Sequence, residues 1–349
     1  DARGNVTGYV DKAEQRWSVA VDAAGRPTTV VRPGGGATTF AYHPDGTLAS
    51  ESDSDVGATT YRYDALRRLV GVERPDGTAV GWGRDALDRV TVFTNAAGGV
   101  AAFEYDANGN LARTVDPLGY ETVVSYDAMD RPTNRVDSLG AVAATAYDVL
   151  GRPATVAAPD GTNLFRYDRR GWLTNLVRGA RTWREHRDPE GNVTNRISPL
   201  GATNAWAYNW IGWPSTWYDP LYGSAHVQTA TWAYDYRGNP TRIKNQMGET
   251  NGYGWDKADR LVVFTNAAQQ KAYFEYDADG NLARQTDFEG HATTFGYTPM
   301  GRLAAATNAL GQAVRFAYDA AGRPVRTTFA DETRTETAYD AAGRPATFT

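Results

Sequence analysis

The chain has 349 residues and a formal net charge of −5, from 36 basic and 41 acidic side chains, and it contains no cysteine. The charges are interspersed, which argues against nucleic acid or an anionic membrane surface as a partner, since both need a concentrated basic face. Disulfides, Cys-ligated zinc and thiol catalysis are excluded outright, and no apolar run approaches the ~20 residues of a membrane-crossing helix.

Read from the N-terminus, one pattern recurs. Asp1-Ala2-Arg3-Gly4 is followed by Asp22-Ala23-Ala24-Gly25, and the same form returns at a step of 21 residues almost everywhere. A Tyr usually precedes the Asp, giving Tyr63-Asp64, Tyr105-Asp106 with Gly109, Tyr126-Asp127, Tyr147-Asp148 with Gly151, Tyr276-Asp277 with Gly280, and Tyr318-Asp319 with Gly322. The step drops to 20 at Tyr167 and Arg187 and stretches to 26 between Tyr208 and Tyr234. The array is running when the chain begins and stops one strand into a repeat, so the expectation is a piece of a larger protein, organised as a single array over 1–349.

Asp at the first position accepts backbone N–H groups two residues on, and Gly at the fourth accepts positive φ. Together they predict a type I turn followed by a glycine bulge. Asp88, Asp130 and Asp259 stand in the Gly position and tolerate the left-handed region. At Arg67 the expectation is mild strain or a different turn. A second turn lies about ten residues on, as in Asp116-Pro117-Leu118-Gly119 and Ser198-Pro199-Leu200-Gly201. Gly34-Gly35-Gly36 reads as a loose hairpin turn. After the Gly of the first turn come Arg or Asn and then Leu, Val or Pro. Proline there must open a strand where no N–H is needed.

Two short strands per repeat joined by tight turns are antiparallel. The predicted fold is therefore all-β: tandem hairpins of about 21 residues winding into a curved sheet or hollow shell segment. About sixteen repeats supply ~32 strands, a sheet ~150 Å wide at ~4.8 Å spacing. The recurring Tyr reads as packing between hairpins, because it returns at every repeat.

An irregular insertion around 209–233 breaks the pattern with a dense aromatic run. Trp213, Trp217, Tyr218, Tyr222 and His226 are its candidate binding residues, since exposed aromatics stack on sugars or dock partners. The four histidines are scattered and occupy turn positions, so no metal site is expected. No nucleophile elbow, phosphate loop or zincin motif is present. No catalytic residue and no cofactor are assigned.

The motif Tyr-Asp-x-x-Gly-Arg-Leu/Pro, in phase along the whole chain, resembles the YD-repeat (Rhs) family. That resemblance implies a hollow β-shell. Bacterial members and the C components of insecticidal toxin complexes enclose a C-terminal toxin, and teneurins use a similar shell in cell adhesion. The family's self-cleaving core segment has no counterpart here. The resulting expectation is a non-catalytic, secreted or cell-surface scaffold that encloses or presents a toxin or effector domain. The alternative is a cell-surface adhesion or carbohydrate-binding module centred on the Trp-rich insertion.

Overall fold

Each Tyr-Asp segment closes a hairpin through one repeated set of bonds. In the computed structural model, which describes residues 1–220, 227–340 and 343–349, the Gly25 N–H donates to the Asp22 carbonyl at 3.0 Å and the Asp22 N–H to the Arg26 carbonyl at 2.9 Å. The Asp22 carboxylate accepts the N–H groups of Ala24 and Arg26 on one oxygen and Arg26 Nε on the other. Asp1 opens an equivalent turn, accepting from the N–H groups of Arg3 and Asn5.

The fourth turn residue sits in the left-handed region. Gly25 has φ 82°, and Asp88, Asp130 and Asp259 lie between 57° and 68°. At Arg67 the strained alternative holds, and not a different turn. It adopts the same turn, with φ 61° and its N–H on the Asp64 carbonyl at 2.9 Å. The Asp64 side chain caps Leu66 and Arg68 as elsewhere, so the cap overrides the residue's own preference.

The described residues form 33 strands, all β, from Gly8–Val10 to Pro345–Phe348. Strands at the proline position begin at that proline, as in Pro27–Val31 and Pro132–Val136. Across the Tyr-Asp turn the register shifts by one residue: Ala20 faces Thr29, whereas Val21 faces Pro27. Such a bulge adds local right-handed twist. Across the mid-repeat turn no shift occurs, and Val31 faces Ala37.

The irregular steps have simple causes. Ala158 pairs with Gly161, and Arg178 pairs with Arg181. These are two-residue loops, one residue shorter than the usual turn. At the long step the ladder continues to Pro220 opposite Val227, through strands Pro214–Pro220 and Val227–Tyr234. Residues 221–226 lie outside the described set.

The chain divides into two compact units. One comprises Asp1–Val100, Gly254–Phe264 and Gln270–Thr349; the other comprises Ala101–Tyr253 and Thr265–Gln269. Burial is shallow. Among the described residues only Ala230 and Ala272 are buried hydrophobics. The accessible surface is 21111 Å², against roughly 14,000 Å² for a close-packed globule of this mass. Among the described residues, strand-to-strand contacts run between strands that are consecutive in sequence.

The first unit contains a seam. Mid-repeat turns of its N-terminal segment pack on Tyr-Asp turns of its C-terminal segment at a constant offset of 245 residues: the turn at Arg32 on that at Asp277, Asp53 on Thr298, and Arg74 on Asp319. The Asp55 carboxylate accepts from the Thr298 hydroxyl, the Met300 N–H and Arg302. Asp76 pairs with Arg323 at 3.0 Å. Glu14 pairs with Lys257 at 2.6 Å and Asp259 with Lys12 at 3.4 Å. Gly34 donates its N–H to Asp279 at 2.8 Å. Here the glycine run proves to be a regular turn in a tight place, not a loose one. The Gly35 N–H bonds the Arg32 carbonyl, and a Cβ on Gly36 would collide with the Pro299 carbonyl.

Candidate functional site

The repeat motif wires each hairpin to the next. The Arg26 guanidinium lies 4.4 Å from the centroid of the Tyr42 ring, and Tyr42 Oη donates to the Pro27 carbonyl at 2.9 Å. The same set recurs at Asp127, Arg131 and Tyr147, whose hydroxyl donates to the Pro132 carbonyl, and at Asp148, Arg152 and Tyr167 with Pro153. It recurs again at Asp256, Arg260 and Tyr276 with Leu261, and at Asp319, Arg323 and Tyr339 with Pro324. In the Asp106 turn, Asn110 replaces the Arg and still bonds Asp106. Tyr126 and Tyr318 donate to Leu111 and Leu303.

These bonds set the carboxylate electrostatics. The Arg26 N–H, followed by its guanidinium, holds the Asp22 carboxyl below its ordinary value. In Asp148 the Arg152 guanidinium leads and the backbone N–H groups add to it, with the same direction. Tyr276 is pushed up, chiefly by partial burial. In each of the full sets named above, Tyr, Asp and Arg therefore have structural partners.

The aromatic insertion is distributed over different surfaces. Trp213 occupies the position that Arg holds in other repeats. It packs on Tyr234 with ring centroids 5.3 Å apart, and it lies against Gly238. Trp217 pairs across the ladder with Trp206, and Tyr218 pairs with Ala205. Trp217 and Tyr218 are adjacent in one strand and point to opposite faces. The structure thus does not bring Trp213, Trp217 and Tyr218 to one site. Trp217 Nε1 is buried without a hydrogen-bond partner, whereas Tyr218 is exposed. Tyr222 and His226 fall outside the described residues.

A more coherent surface lies one hairpin upstream. Trp206, Tyr208 and Trp210 face Glu190, Asn192 and Thr194 across a groove of about 570 Å³. Trp210 is 93% exposed. It sits at the second position of the turn Asn209–Gly212, which Ala or Pro often fills elsewhere. That contrast was the available sequence signal.

The remaining histidines are turn and strand residues. His43 packs edge-on to Tyr63, and His186 is exposed in the strand Arg181–Arg187. Asp287, Glu289 and His291 bring ligand atoms within 4.8 Å of one another. They share one solvent-facing turn, and Asp287 caps its backbone N–H groups.

A tandem array of antiparallel hairpins, each tied to the next through Tyr, Asp and Arg, defines a structural repeat protein. A profile of the RHS repeat matches residues 84–120, 105–142, 276–313, 301–334 and 318–349. The profile thus covers two stretches, 84–142 and 276–349, of an array whose hairpins continue before and between them. No curated protein matches the chain. Among solved structures it is similar to the TcdB2–TccC3 complex, with TM-score 0.61 and 13% identity over 97% of this chain and 26% of that one. It is also similar to the Photorhabdus luminescens Tc holotoxin pore carrying a TccC3 variant, with TM-score 0.58 and 16% identity over 96% of this chain and 19% of that one. The chain therefore spans about a fifth to a quarter of the length of these relatives, and the likeness establishes a shared fold.

Proposed function

We propose that this chain is a wall segment of an exported, non-catalytic Rhs shell that encloses a toxin or effector polypeptide. The observation that carries this reading is the array itself: among the described residues strands contact their neighbours in sequence, and the motif Tyr and Arg reach from one strand or turn to the next. The similarity to toxin-complex structures supports it. A shell wall has one face towards its contents and one towards solvent. The adjacent residues Tyr273 and Phe274 lie on opposite faces of strand Lys271–Tyr276. A photo-cross-linker placed at each in turn, in the full natural polypeptide, should capture non-repeat polypeptide from one face only. Capture from both faces, or from neither, contradicts the reading.

The exposed Trp210 beside Trp206 and Glu190 favours a second reading, a glycan contact at the groove. Indole faces accept pyranose rings, while carboxylate and amide groups bond hydroxyls. Glycan-array binding lost in Trp210→Ala would support it. Arrays unchanged by that substitution would remove it.

A further inference from the structure

The seam in the first unit joins pairs of turns, and two of its junctions share one ion pair. Mid-repeat turns opening at Asp11, Arg32, Asp53 and Arg74 meet the Tyr-Asp turns opening at Asp256, Asp277, Thr298 and Asp319. At the last two junctions the third residue of the mid-repeat turn gives a carboxylate to the fifth residue of the facing turn. Asp55 meets Arg302 Nη1 at 3.0 Å, and Asp76 meets Arg323 Nη1 at 3.0 Å. At the second junction the same two positions are Gly34 and Asn281, so neither charge is present. The first junction is the unbalanced one: Arg260 stands in the guanidinium position and Ala13 in the carboxylate position.

Arg260 is held as Arg323 is. Its Nε donates to its own Asp256, and Nη2 lies 2.7 Å from that carboxylate. Its side chain is 26% exposed, the same as Arg302 and Arg323. The difference is Nη1, which has no hydrogen-bond partner among the described residues. Nη1 lies against Gly280, and Gly280 borders a groove of about 310 Å³ that Arg260 lines with Asp11, Lys12, Ala13 and Asp279. Both of these carboxylates are already engaged. Asp11 accepts the N–H groups of Ala13 and Gln15 and the Trp17 indole, and Asp279 accepts the Gly34 N–H. Arg260 and Lys12 supply the cations of a volume with room for a small carboxylate and its water.

We propose that this groove is a binding site for a small carboxylate anion, which takes the place at Arg260 that Asp55 and Asp76 fill at Arg302 and Arg323. The site exists only while the two turns are together, because Lys12 and Ala13 come from one segment of the unit and Arg260 from another. An occupant therefore holds this junction closed. A ligand that binds the joined turns and not the parted ones stabilises the joined state by mass action. The site is independent of anything the wall encloses.

The test uses the whole chain, with sodium acetate as the probe and sodium chloride at equal ionic strength as the reference. Amide exchange at the turns opening at Asp11 and Asp256 should slow in acetate along a saturating curve, by about tenfold at roughly ten times the half-saturating concentration. Exchange at the turn opening at Asp148 should not move. Ala13→Asp supplies the carboxylate from within the chain, as Asp55 and Asp76 do at their own junctions. In that variant the two turns should exchange slowly without acetate, and acetate should add nothing. Equal exchange in acetate and chloride would overturn the site, and that arm needs no variant. So would an Ala13→Asp chain that acetate still protects, or one whose two turns exchange no more slowly than before.

Discussion

At the scale of the residue, Tyr, Asp and Arg form a relay: Asp caps its own turn and holds the Arg, which stacks on the Tyr of the next repeat. Tyr147 Oη bonds the Pro132 carbonyl at 2.8 Å. Tyr147→Phe should therefore cost about 1 kcal/mol, the usual net worth of such a bond. Asp148 accepts two N–H groups and Arg152, so Asp148→Ala should cost more, since three bonds go with it. Urea unfolding of both variants would check the order, and equal losses would contradict it. The capping carboxylates also predict an acid limit. Asp22, Asp64, Asp127, Asp148 and Asp256 all lie below their ordinary value of 3.8 when folded. A depressed folded pKa contributes stability that is fully present above the unfolded value and is lost as pH falls through the folded one. Thermal melts should thus be flat in this contribution above about pH 5 and drop steeply below about pH 4. A melting temperature unchanged at pH 3 would count against the caps.

At the scale of the element, local signals were readable and distant ones were not. The step of 21, the proline positions and the left-handed fourth residue were legible because each turn is made by residues within five positions of one another. Arg67 keeps the common turn at φ 61° because the cap from Asp64 outweighs the preference of the residue itself. The close packing at Gly34 and Gly36 left no local trace, since the surface against them comes from 245 residues away. Trp217 and Tyr218 were grouped by density when strand alternation already separates them. The seam yields two predictions. Gly36→Ala forces the Pro299 carbonyl aside and should cost about 1–3 kcal/mol, whereas Gly296→Ala, with nothing within 4 Å of the added methyl, should be nearly neutral. Chemical denaturation of the pair would decide. Asp55→Ala leaves Arg302 without the carboxylate it holds at 3.0 Å. Amide exchange should then rise at the turns opening at Asp53 and Thr298 and stay unchanged at Asp148. A uniform rise would mean that the seam is not a separable junction.

At the scale of the whole molecule, a repeat array derives stability from neighbour contacts and not from one shared core. The shallow burial follows from that design, and it leaves two broad faces for other polypeptide. The most direct measurement is protease protection in the full natural polypeptide. If this chain is part of an enclosing wall, the non-repeat segment should survive native digestion for as long as the repeats do, and it should be cut at once after denaturation. A non-repeat segment digested at the same rate before and after denaturation, while the repeats stay intact, would contradict enclosure.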